Sequence, residues 1–103
     1  MAKNVNKMMK QAQKMQAQLM KAQEDLNKEE VEGTSGGGMV KVILNGAQEL
    51  KSISLDPEVV DDDDVEMLED LIIAAFTNAQ EKVKEKSNDL FGGLTAGMNI
   101  PGL

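Results

Sequence analysis

The chain has 103 residues, a net charge of −7 and no cysteine, histidine or arginine, which removes disulfides, thiolate and imidazole metal sites, and the commonest general base. Its two phenylalanines are the only aromatic residues, so one small domain with an aliphatic and methionine core is expected, and no run approaches the ~18 apolar residues of a membrane span. Enzymatic chemistry and membrane insertion are therefore not expected, and the absence of cysteine is consistent with a cytoplasmic protein.

The first element is a helix over 3–28, free of Gly and Pro and rich in Lys, Met, Gln and Ala. Val5, Met8, Ala12, Met15, Leu19, Ala22 and Leu26 alternate spacings of three and four, a heptad seam that seeks an apolar partner. Whether that partner is a second copy, the sheet or the other helix of the same chain is open. Lys7, Lys14, Lys21 and Lys28 share one heptad position, and Lys3 and Lys10 another, all away from the seam. Residues 1–23 hold five lysines and no acid, whereas the remainder holds six lysines against 18 acids.

Three strands follow. Residues 30–34 form an edge strand, Ser35-Gly36-Gly37-Gly38 a flexible turn, and Met39–Leu44 a β-branched strand. Asn45-Gly46 predicts a two-residue type I′ hairpin leading into a strand over Ala47–Leu55, with Ile53 and Leu55 on one side and Leu50 on the other. Asp56-Pro57 stops the sheet. A second helix is expected over 62–90, with Val65, Leu68, Leu71, Ile72, Ala75, Phe76, Ala79 and Val83 as its apolar stripe and Gly92-Gly93 as its end. Residues 91–103 form a Gly-rich tail. The fold class is α+β, in the order α-β-β-β-α.

The candidate site is the lysine stripe. A solvated face is its ordinary reading, but exposed helices usually mix Glu with Lys for pairing one turn apart, and this one does not until Glu24. Contact with a polyanion is the better reading, with two paired helices straddling a duplex and releasing counterions from its phosphates. Without Arg to read guanine, little sequence preference and strong salt dependence are expected. Asn4, Asn6, Gln11, Gln13, Gln16 and Gln18 are read as ordinary polar helix positions. Met9 and Met20 lie off the seam and are open to further contacts. Asp61, Asp62, Asp63 and Asp64 read as helix capping, since a calcium loop would need spaced acids and a turn Gly. The Gly36–Gly38 run lacks the Lys-Ser/Thr and helix of a phosphate loop.

The succession of motifs resembles the YbaB/EbfC family. It comprises the Lys/Met/Gln helix, Val31-Glu32-Gly33, Gly36-Gly37-Gly38-Met39-Val40-Lys41-Val42 and Asn45-Gly46. It continues with Ile53-Ser54-Leu55-Asp56-Pro57, Leu68-Glu69-Asp70-Leu71-Ile72, Ala75-Phe76-Thr77-Asn78-Ala79 and Ile100-Pro101-Gly102-Leu103. The resemblance implies a bacterial nucleoid-associated protein that binds double-stranded DNA as a homodimer, with a central sheet formed with the partner chain and two long helices projecting like tweezers. One YbaB/EbfC-like domain over 1–103 is expected, divided by the residue patterns into a basic heptad helix (1–28), a small antiparallel sheet (30–55), a second helix (62–90) and the tail (91–103). The resemblance also implies no catalytic residues and a role in nucleoid organisation and gene expression; no cofactor, no metal and no small-molecule substrate are expected. DNA contacts are assigned to Lys3, Lys7, Lys10, Lys14 and Lys21, with Lys82, Lys84 and Lys86 weaker because Glu81, Glu85 and Asp89 offset them. The rival reading is an adaptor or chaperone-like protein whose Met/Leu seam holds a helix of another protein.

Overall fold

The computed structural model describes residues 2–98, and side chains within 4–93. Helix α1 spans Ala2–Lys28, strands β1, β2 and β3 span Glu30–Ser35, Val40–Asn45 and Leu50–Leu55, and helix α2 spans Val65–Met98. The strands form one antiparallel sheet in the order β1-β2-β3. The element order is the expected one, an α+β architecture.

The core is a single layer of aliphatic packing between α2 and the sheet. Val40, Val42 and Leu44 of β2 are fully buried, together with Ala75 and Ala79 of α2, and Val31, Val59 and Val83 close the cluster. Leu68, Leu71, Ile72 and Phe76 pack around it, whereas Val65, expected in the same stripe, is 53% exposed. Small residues at 75 and 79 let the helix sit close, and Gly33 completes the contact. A Cβ at Gly33 would collide with the backbone carbonyl of Ala75 and with Ala79. Each large aliphatic side chain buried here contributes roughly 1.5–3 kcal/mol.

Three sequence expectations are corrected. The β2–β3 connection is a hairpin, but Asn45-Gly46 is not its type I′ pair. Asn45 N–H donates to the Glu49 carbonyl (3.0 Å), Gln48 N–H to the Asn45 carbonyl (2.9 Å), and Gln48 takes the left-handed conformation at φ 62°. The loop is therefore three residues long, and β3 starts at Leu50 rather than Ala47. Asn45 organises it by its side chain, whose Oδ1 accepts from Ala47 N–H (3.0 Å) and Glu49 N–H (2.9 Å). Gly46 is needed for proximity, because a Cβ there would strike the Leu26 carbonyl at the end of α1.

The second correction concerns β3. Ile43 pairs with Ser52 but Leu44 with Leu50, so Lys51 is the extra residue of a β-bulge. Directly opposed residues share a face, and the bulge thus brings Leu50 to the side that already holds Ile53 and Leu55, not the other side. That is also the face carrying Val40, Val42 and Leu44.

The third concerns α2, which starts at Val65, not residue 62. Asp61 accepts from Asp63 N–H (2.9 Å) in a turn, and Asp64 caps the helix through Met67 N–H (3.1 Å), the capping role expected of the acidic run. At the other end α2 continues through Gly92-Gly93 to Met98. Neither glycine adopts the positive φ of a helix C-cap, and without one the intrinsic penalty of about 1 kcal/mol per Gly does not end a helix. The helix thus takes in 91–98 of the expected tail; residues 99–103 lie outside the described residues.

Candidate nucleic-acid interface

The lysine-bearing helix stands away from the body. The molecule measures 75 × 25 × 16 Å with a radius of gyration of 20.4 Å, against about 13 Å for a compact chain of this length. Only the last turns of α1 are anchored. Leu26 is buried and Ala22 half-buried, facing Leu90 across a cleft also lined by Asp25, Glu29, Lys86 and Asp89. Glu29 accepts Gly46 N–H at its carbonyl (2.9 Å) and Lys86 at its carboxylate (3.3 Å), which ties the helix end to both the hairpin and α2.

Beyond that anchor, residues 4–21 are exposed throughout. Seam residues Val5, Met8, Ala12, Met15 and Leu19 have no covering element of their own chain, and Met9 and Met20 are likewise exposed. Within the chain, then, only the C-terminal end of the seam packs on the body. Lys7, Lys10, Lys14 and Lys21 are all exposed, and none is in a salt bridge among the described residues. Lys3 belongs to the same helix, with its side chain outside the described part.

The three lysines of α2 are situated differently. Lys82 Nζ donates to the Glu32 carbonyl (2.7 Å), and Lys86 pairs with Glu29. Lys84 is exposed, flanked in sequence by acids at two of its near neighbours, Glu81 and Glu85. Lys82 acts together with Asn78, whose Oδ1 accepts Thr34 N–H (3.1 Å). These two side chains take two of the outward hydrogen-bonding groups of β1, the Thr34 N–H and the Glu32 carbonyl, and obstruct strand addition at that edge of the sheet. Sequence reading missed this role of Asn78. A polar residue within an otherwise apolar helical stripe was its only signal.

The opposite edge is open. Every residue of β3 is exposed, since α2 lies across β1 and β2 but not β3. Leu50, Ile53 and Leu55 retain 47%, 45% and 36% of their surface on the face that continues the core. Ile73, 63% exposed, lies on a flank of α2 turned away from the Leu71 and Asn78 contacts with β1. The sheet is thus finished on one side and unfinished on the other.

Among the described residues no group of acids is arranged to hold a metal ion, and no helix is long and apolar enough to cross a membrane. The clefts found are open grooves rather than enclosed pockets.

Comparison with known proteins agrees with this anatomy. The model of the YbaB/EbfC DNA-binding family matches residues 1–98. The chain is 56% identical over 103 residues to a nucleoid-associated protein of Desulforamulus reducens, covering all of this chain and 98% of the relative. It is 54% identical over 100 residues to one from Caldanaerobacter subterraneus subsp. tengcongensis, covering 97% and 90%. A crystal structure of an uncharacterized protein from Helicobacter pylori superposes with a TM-score of 0.74 at 23% identity, over 85% of this chain and 92% of that one, which shows a shared fold. The family matched is one of DNA-binding proteins rather than enzymes, and it spans both helices and the sheet. This chain belongs to the YbaB/EbfC DNA-binding family.

Proposed function

We propose that the chain forms a homodimer through its open sheet edge and grips double-stranded DNA between two lysine-striped α1 helices, contributing to nucleoid organisation, and through it to gene expression, in the cytoplasm. The observation that carries the reading is the stripe itself. Lys7, Lys10, Lys14 and Lys21 stand on a helix that leaves the body, without a carboxylate partner among the described residues. Phosphates are the natural partners of such unpaired ammoniums, and each contact releases condensed counterions. Contacts of this kind position a duplex without reading it, and a chain lacking Arg has no bidentate partner for guanine. Lys3 extends the stripe, while Lys82 and Lys86, engaged within the chain, are secondary, as is Lys84.

The sheet supports the dimer reading. With β1 obstructed by Asn78 and Lys82, β3 is the edge at which a second copy adds, and Leu50, Ile53 and Leu55 supply an apolar face beside it. Ile53→Asp should therefore convert the dimer to monomer at micromolar concentration, as read by sedimentation equilibrium, while monomer helicity by circular dichroism is retained. A dimer that survives this change would move the interface elsewhere.

The exposed Met/Leu seam favours a second reading, an adaptor that holds a partner's helix. Titrating a labelled random-sequence duplex across a salt series, by fluorescence anisotropy, decides between them. A slope of log affinity on log salt of about −4 to −8 is expected for the lysine clamp. No binding even at low salt would sink it and leave the adaptor.

A further inference from the structure

The acids are as segregated as the lysines. Between Lys51 and Lys82 there is no base, and the acids of residues 56–70 are all exposed. At the start of α2 they rim a shallow groove of about 500 Å³ with a partly apolar floor, formed by Asp64, Glu66, Met67, Asp70, Leu71 and Ala74. Met67 is 38% exposed there.

Groove and lysine stripe lie at opposite ends of the sheet. The Leu71 carbonyl accepts from Ser35 Oγ (2.5 Å) at the far end of β1, whereas α1 is anchored beside Gly46, at the Glu30–Asn45 end. A helix of 34 residues such as α2 is about 51 Å long, so a 75 Å long axis requires α1 to extend outward. The stripe of a protomer cannot reach its own groove.

We propose that the lysine stripe of one copy docks in the α2 groove of a second copy, joining homodimers head to tail in competition with DNA. Charge complementarity selects the occupant. Lys7, Lys10 and Lys14 share one side of α1, and Asp64, Glu66 and Asp70 line the groove. Lysine stems lie along Met67 and Ala74 while the ammoniums meet the carboxylates. DNA and the groove use the same lysines, so duplex displaces the contact. Because the two surfaces differ, the contact is heterologous: it makes rings where the rotation closes and open chains where it does not, and in both cases species larger than the dimer grow with concentration. Each exposed ion pair is weak and screened by salt, which makes the association reversible.

The docking rests on the dimer proposed above, and one experiment separates failure of the docking from failure of the dimer. Sedimentation velocity of the intact protein without DNA, over a concentration series at low and at high salt, is the measurement. Species larger than a dimer should grow with concentration at low salt and revert to dimer at high salt. Lys10→Glu/Lys14→Glu and Glu66→Lys/Asp70→Lys should each abolish that growth alone, and their equimolar mixture should recover it. Neither substituted carboxylate accepts a hydrogen bond among the described residues, and Asp64, the helix cap, is left in place. Glu66→Gln/Asp70→Asn should also raise duplex affinity at low salt by a few-fold, by freeing the stripe. A dimer that never grows, or charge-reversed variants that associate like the parent, overturns the docking alone. A monomer under every condition overturns the docking and the dimer together.

Discussion

Replacing Lys7, Lys10, Lys14 and Lys21 together by Gln should lower duplex affinity by about 10²–10³-fold near physiological salt and reduce the salt slope by several units. Both arms of the dimer give up four charges each, and every phosphate left without its ammonium takes about 0.9 off the slope. The same variant should keep its thermal midpoint and its dimer. All four side chains are exposed, and none bonds to another of the described residues of the body. Gln is also about as good a helix former as Lys. The comparison is therefore a clean one. A fall in affinity with the fold intact assigns DNA binding to the stripe, whereas affinity unchanged removes the clamp. Unfolding would mean that the lysines serve structure. Lys82→Gln provides the contrast: a small change in affinity, with loss of the hydrogen bond that covers the Glu32 carbonyl.

Gly33→Ala should give the largest loss of stability from the smallest chemical change. The added methyl would sit inside contact distance of the Ala75 carbonyl and of Ala79 N–H and Cβ. Because its neighbours are mostly backbone atoms of α2, no rotamer change relieves the clash. The helix must lift from β1, loosening the packing of Ala75, Ala79 and Val31 and straining the Asn78–Thr34 hydrogen bond. A cost of about 3 kcal/mol is expected, a large fraction of the 5–15 kcal/mol by which domains are stable. Urea unfolding reads it directly. A loss below about 0.5 kcal/mol would mean that α2 is free to shift, and that its approach to the sheet is less tight than Gly33 requires.

These two predictions draw on different levels of organisation. Lysine spacing and helix formation are local properties: a run without Gly or Pro, apolar at steps of three and four, is helical wherever it stands. Hence α1, the β-branched strand and the apolar stripe of α2 were legible from residue order. Register was less so. Nothing in Lys51-Ser52-Ile53 announces a bulge, because a bulge arises from matching two strands whose partner residues lie elsewhere. The sidedness of Leu50 therefore came out only when β2 and β3 were paired. The ends of α2 were misjudged for a related reason: acids can cap or turn, and glycines can cap or continue, and local sequence leaves both options open.

What the sequence determined by itself, then, is the charge separation, the heptad helix, the order of elements and the family. Each depends on residue type and spacing alone. Only the tertiary structure decided which sheet edge is obstructed, that the seam is covered only at Ala22 and Leu26, and that the acidic groove of α2 and the lysine stripe of α1 lie at opposite ends of the sheet. Those are facts of long-range packing. Asn78 meets Thr34 across 44 residues and Lys82 meets Glu32 across 50, and no local pattern encodes a contact whose two halves are that far apart.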